Sequence, residues 1–281
     1  MQEIPKVFYY QGLFFLVLFL QIFINYLLSK EKDLSIIKNN LVSITIASLT
    51  LGCVLYYASI ISNNFDSSFI FYLLLSLTIY AYWFIINPLL DIFLSKKHTR
   101  AIEIEKYLKS ENQNFKVYFT DKISKNAFAT GIVPFYKIII LAKDLKEKLD
   151  KSELKAIIYH EIGHHKRKHI LIMYALNVVI LTSYFIGQSF MVKYNFTNKF
   201  YEGFSVFMSG ITVGLAVYYI PNKIMYFLEY DADNYSAKKN NKNDIIAALV
   251  NLDKLSEGKL TKGNINHPNL EKRISSLNKL N

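Results

Sequence analysis

Residues Tyr159–His169 read YHEIGHHKRKH, and inside them His160, Glu161 and His164 stand in the order H-E-x-x-H. The helical pattern that carries them opens at Asp150. Asp150 or Ser152 can cap, Glu153 follows Asp150 by three residues, and Leu154, Ile157, Ile158 and Ile162 recur at helical spacing. On a helix, positions four apart share a face, so the two imidazoles can reach one metal ion. Glu161 projects about 100° round from His160, close enough to take a proton from an attacking water without being a ligand itself. His165 and His169 fall roughly 140° and 180° round from His160, which points them to solvent or to the next turn.

A catalytic zinc usually takes three protein ligands and keeps a fourth position open. The natural third ligand is Glu229, in the segment LEYDADNYSA. Asp233 is four residues further on, where its carboxylate can accept the outer N–H of a ligating histidine and fix its tautomer. The plainer reading, in which Glu229, Asp231 and Asp233 only make an acidic first turn of a helix, stays open at this level. The single cysteine, Cys53, excludes an intrachain disulfide and a cysteine-based zinc ribbon. It sits in an apolar run and reads as a small buried hydrophobe.

Around this motif the 281-residue chain is 52% hydrophobic and 15% aromatic, with a mean hydropathy of +0.19, which points to a bilayer. Three early apolar runs, 8–28, 41–61 and 68–94, are long enough to cross about 30 Å of hydrocarbon. The first is expected to be a retained anchor rather than a signal peptide. A polar, lysine-rich segment follows over 95–169, then two further apolar runs, 170–192 and 203–225, and a polar C-terminal segment over 226–281. The net charge is +11. Five spans with an external N-terminus place 30 of the 33 Lys and Arg on one side, while the loop Asn63–Ser67, which has none, falls on the other. The charge therefore reports orientation and anionic lipid, and no nucleic-acid partner is expected. The even number of crossings in 170–225 returns Glu229 to the face that carries His160. Asn25 and Asp91 lie near span ends and read as interfacial.

Within 95–169, KVYFT (Lys116–Thr120) and KIIILA (Lys137–Ala142) read as strands with NAFATG (Asn126–Gly131) between them, a small antiparallel sheet. The expected fold is mainly α: a polytopic membrane protein of about five transmembrane helices with a small cytoplasmic α+β domain.

Four pieces, HEIGH, EYDAD at Glu229–Asp233, NAFATG and HPNLEKRI at His267–Ile274, stand in the order found in the M48 metallopeptidases. Over roughly Asn87 to Leu280 the chain resembles that family, whose branches include the CAAX prenyl proteases and the membrane protease HtpX. INPLLDIFL, Ile86–Leu94, resembles a segment of the CAAX branch; three spans before the catalytic segment are fewer than that branch has. The resemblance implies a gluzincin-type metallopeptidase domain holding one zinc ion per chain. It further implies that Asn126, Ala127, Phe128 and Ala129 lie along the cleft, where substrate adds to the strand by main-chain pairing. His267 would stabilise the oxyanion, and Arg273 would contact substrate. The expected activity is zinc-dependent endoproteolysis of membrane proteins or peptides, in a prokaryotic inner membrane, with the site facing the cytoplasm. The alternatives are a dedicated CAAX-type processing protease and a catalytically silent membrane scaffold.

Overall fold

The computed structural model describes residues 68–94, 97–132, 136–193, 199–263 and 267–280. The apolar runs 8–28 and 41–61, and Cys53, lie outside the described residues. The chain divides into two compact units.

The described part of the first unit includes α1 (Ser68–Ala81) and α2 (Asn87–Leu94), joined by a π-helical turn at Tyr82–Ile86. The Asn87 N–H bonds to the Tyr82 carbonyl, five residues back. The widening falls just before Pro88, which has no N–H to return to the carbonyl four back. Leu176–Gly214 belong to the same unit. Tyr72 and Phe185 stack there at 5.7 Å. Among the described residues two helical stretches are long and apolar enough to cross a membrane, Phe69–Leu94 and His169–Gly187. The run 203–225 falls inside a longer helix and is not one of those two, so the count of five spans is not reproduced.

The second unit, Lys96–Ala175 with Leu215–Asn281, carries the sheet: β1 (His98–Arg100), β2 (Lys116–Thr120), β3 (Ala127–Thr130) and β4 (Ile138–Ala142). Their order is β1-β2-β4-β3. The expectation of an antiparallel sheet needs correction. β1 with β2 and β3 with β4 are antiparallel, but the central pair is parallel, with Lys116 opposite Ile138 and Thr120 opposite Ala142. The chain leaving β2 runs past the central slot to the edge before β4 fills it. β4 takes that slot because all five of its residues are apolar and buried, as a strand covered on both faces requires.

Three helices pack on this sheet, α3 (Ile102–Ser110), α4 (Lys143–Lys148) and α5 (Lys151–Lys166), while α8 (Lys242–Leu255) packs on α5, and α9 (Lys259–Lys262) and α10 (Leu270–Asn278) pack on α8. Between α5 and α8 run the long α6 (His169–Lys193) and α7 (Lys199–Lys239). Asp150 caps α5 through a full capping box: its carboxylate accepts from Glu153 N at 2.8 Å, and Glu153 accepts from Asp150 N at 3.1 Å. Val117, Phe119, Ile139 and Leu141 of the sheet, Ile157, Ile158 and Ile162 of α5, Ile245 and Leu249 of α8 and Leu277 of α10 form one core.

Candidate metal centre

The site is built where α5 and α7 touch. Gly163 makes that contact close, since a Cβ there would sit 3.2 Å from Ala232 Cα and from Tyr235 Cβ. Ser236 on α7 donates to the Ala156 carbonyl of α5 at 2.7 Å. These contacts bring Glu229 and Asp233, one helical turn apart on α7, against His160 and His164 on α5. α7 runs unbroken through residue 225, so Glu229 lies within a helix and not in its first turn. The reading of the acidic residues as a mere N-terminal turn falls on that ground.

His160 Nε2 and His164 Nε2 face each other at 3.2 Å. Glu229 Oε2 is 3.6 Å from the first and Oε1 3.5 Å from the second. One ligand atom from each residue lies within 4.8 Å of the others. Two histidine nitrogens on one tetrahedral zinc, each about 2.0–2.1 Å from it, stand ~3.3 Å apart. The donor set and its spacing therefore fit one zinc ion, held by His160, His164 and Glu229.

The electrostatics suit that role. Burial, followed by the neighbouring His160, pushes the His164 pKa down to about 3, which keeps it neutral and able to ligate. For His160 burial acts downward too, but the Asp233 carboxylate, 2.9 Å from Nδ1, overcomes it and raises the pKa. Glu229 is raised by burial, yet His267, Arg273 and the two histidines together bring it well below the usual carboxylate range. For Glu161 burial outweighs the downward pull of His160, Arg273 and His267 and, with the neighbouring Glu229 carboxylate, lifts the pKa to about 7.

His267 is half-exposed, with Nδ1 3.3 Å from Glu229 Oε2. Asn126, Ala127, Phe128 and Ala129 line the same cavity of about 630 Å³ as His160, Glu161, His164 and His267. Ala127–Ala129 lie on β3, which pairs only with β4 among the described residues and so leaves its outer edge unpaired. Gly131 ends that edge. It has φ +95°, and a Cβ would fall 1.8 Å from the Tyr136 carbonyl oxygen, a placement open only to glycine.

Three expectations change. Arg273, implied as a substrate contact, is buried and turns its fork on Asp233, with Nε 2.7 Å from Oδ2 and Nη2 2.6 Å from Oδ1. Nη1 is 3.5 Å from Glu229 Oε2. Its donors are committed to Asp233, behind His160, and to Glu229, so it supports the candidate centre. His165 is buried rather than solvent-facing, with Nε2 3.1 Å from the Ile138 carbonyl, because α5 is covered by the sheet on that side as well. His169 is buried as well. α5 stops at Lys166 and Lys168 takes the left-handed conformation, φ 59°, so angles counted along one continuous helix do not apply beyond it. No residue in KRKH signals the break; the apolar run starting at Ile170 is the available cue.

Residues 88–281 match the description of Peptidase family M48. "Protease HtpX homolog" of Thermodesulfovibrio yellowstonii is 29% identical over 125 residues, 42% of this chain and 44% of that protein. "CAAX prenyl protease 1" of Saccharomyces cerevisiae is 24% identical over 279 residues, 84% of this chain and 61% of that protein. A crystal structure of S. mikatae Ste24p superposes with a TM-score of 0.63 at 23% identity, covering 86% of this chain and 66% of that one. The chain spans less than two thirds of the length of the first curated relatives it matches. With a family match that takes in the whole of α5, the ligand helix α7 and the C-terminal α10, the chain belongs to peptidase family M48.

Proposed function

We propose that this protein is a membrane-associated, zinc-dependent endopeptidase. The convergence of the His160 and His164 Nε2 atoms on Glu229, beside the buried Glu161 carboxylate, carries the reading. Zinc at His160, His164 and Glu229 would supply Lewis acidity toward a peptide carbonyl and toward water. Glu161 takes the proton from the attacking water as the C–O bond forms, then passes it to the amine as the C–N bond breaks. His267 faces the cavity and donates to the oxyanion that develops on the carbonyl oxygen. The open edge of β3 receives the substrate main chain as an added strand. Such a reaction passes through no covalent enzyme intermediate.

Two apolar helical stretches and the one-sided distribution of lysine and arginine support a membrane setting, with cytoplasmic segments of membrane proteins or peptides as substrates. The relative from yeast is named for CAAX substrates, but the chain itself gives no sign of prenyl specificity.

The test compares detergent-purified wild type with Glu161→Gln and Glu229→Ala, measuring zinc content and cleavage of casein or a membrane-protein substrate. Wild type and Glu161→Gln are expected to hold about one zinc, only wild type to cleave, and Glu229→Ala to lose the metal. Wild type that neither holds zinc nor cleaves after metal is supplied would overturn the proposal. The pH profile follows from Glu161. The base must be ionised, so kcat/KM falls as acid protonates it. The limb is expected between its ordinary 4.5 and the value of about 7 set by burial, drawn downward from 7 by the bound cation. An acid limb that persists unchanged in the residual activity of Glu161→Gln would assign it to another group.

A further inference from the structure

His169 and Asp231 have no part in the mechanism above, yet they form a hydrogen-bonded chain ending on a ligand. His169 Nδ1 is 3.0 Å from His164 Nδ1, and His169 Nε2 is 3.0 Å from Asp231 Oδ2. The rings of His164 and His169 meet edge to face at 5.1 Å. His169 is 1% exposed, whereas the Asp231 side chain is 43% exposed and has Arg167 Nε 3.6 Å from the same oxygen.

With both rings neutral, only one placement of protons satisfies every contact in this chain. When the Nε2 lone pair of His164 is free for a cation, its proton is on Nδ1 and donates to His169 Nδ1. The His169 proton then lies on Nε2 and donates to the Asp231 carboxylate. The reverse placement puts the His164 proton on Nε2, where it blocks the metal, and turns the lone pair of His169 Nε2 toward an anion. We propose that His169 and Asp231 are positioning residues that hold His164 in its metal-binding tautomer and orientation, with the carboxylate acting through two imidazole rings.

The inference rests on the reading of His160, His164 and Glu229 as the metal centre. It goes beyond that reading by assigning the ligand's outer nitrogen a partner that is itself oriented. The turn at Lys168 is what makes it possible. On an unbroken helix His169 would lie about 140° away from His164, whereas the break folds it back onto that ring.

The experiment measures zinc affinity by chelator competition, and the visible absorption spectrum of the cobalt(II) form, for the full chain in detergent. Wild type is compared with His169→Phe, His169→Asn and Asp231→Ala. His169→Phe keeps the volume without the nitrogens and should weaken zinc binding about 10- to 100-fold. His169→Asn, whose side-chain oxygen can take the place of Nδ1 as acceptor, should recover part of that loss. Asp231→Ala removes a half-exposed group, so it tests the chain without emptying the core; a loss of roughly 3- to 10-fold is expected. The cobalt spectrum should change in His169→Phe and return toward wild type in His169→Asn, which a merely structural role would not produce. Wild-type affinity and spectrum in folded His169→Phe, or in Asp231→Ala if the first fails to fold, would overturn the inference while leaving the metal centre intact. Wild type that binds no zinc would overturn the metal centre and this inference together.

Discussion

The two histidines of α5 proposed as metal ligands are backed in opposite ways. Behind His160 stands a fully enclosed pair: Asp233 is 1% exposed and Arg273 is buried with it, bound through both ends of its fork. Behind His164 stands a chain that begins in the core at His169 and ends at Asp231, which water reaches. Both place an acceptor or carboxylate beyond a histidine, but the first is dry and the second drains to solvent. A charge in the first position has no water to take the place of its mate when that is removed; one in the second does.

The sharpest way to break this contrast is to delete each carboxylate. Asp233→Ala leaves the Arg273 guanidinium buried beside Glu229 alone and should destabilise the fold by about 3–5 kcal/mol. Asp231→Ala should stay within about 1 kcal/mol of wild type. Denaturant titration followed by circular dichroism measures both, and equal losses would show that burial does not separate the two arms. A smaller effect is expected where the arms meet. Gly163→Ala adds a methyl 3.2 Å from Ala232 Cα, and the α7 backbone there must give by a few tenths of an ångström. A cost of about 1–3 kcal/mol should come with weaker zinc retention, because Glu229 moves with α7; unchanged stability and metal content would show that the interface has slack.

The smallest effect separates the arms by pH. Asp233 raises the His160 pKa against the pull of burial, while His164 is held near 3. Protons therefore compete with metal at His160 first, and zinc affinity should fall as pH drops through a value above the ordinary 6.5 of histidine. Asp233→Asn removes the charge that raises it and should move that fall to lower pH; Asp231→Asn should leave it in place. The shift is read from chelator competition across pH, and identical profiles for both variants would remove His160 as the controlling group.

The sequence was most legible where local rules act alone. Asp150 and Glu153 announce the start of α5, and His160 with His164, like Glu229 with Asp233, share a helical face as their spacing of four suggests. It was least legible where the chain changes direction or where neighbours are chosen by tertiary packing. Lys168 adopts a left-handed conformation with no glycine to mark it, so a count along one continuous helix misplaces His169. β1, the tripeptide His98–Arg100, has no apolar alternation to show. The parallel pairing of β2 and β4 follows from which strand fills the central slot, a choice that the chain order β2, β3, β4 conceals. Arg273 could be found as functional only through resemblance, and its partner only through the fold.

If the proposed activity holds, the edge that Gly131 brings to an end governs what the protein could cut. β3 offers four residues, Ala127–Thr130, a ruler about 13 Å long at the rise of an extended chain. Under the proposed reading a substrate must surrender a matching length of its own backbone from whatever helix or sheet holds it. Segments that already fray, such as termini, loops and misassembled spans, do so at little cost, whereas a well-packed segment must first open locally. Selection would then depend less on the side chains flanking the scissile bond than on how readily each candidate protein lets go of four residues, making the protease a gauge of local unfolding.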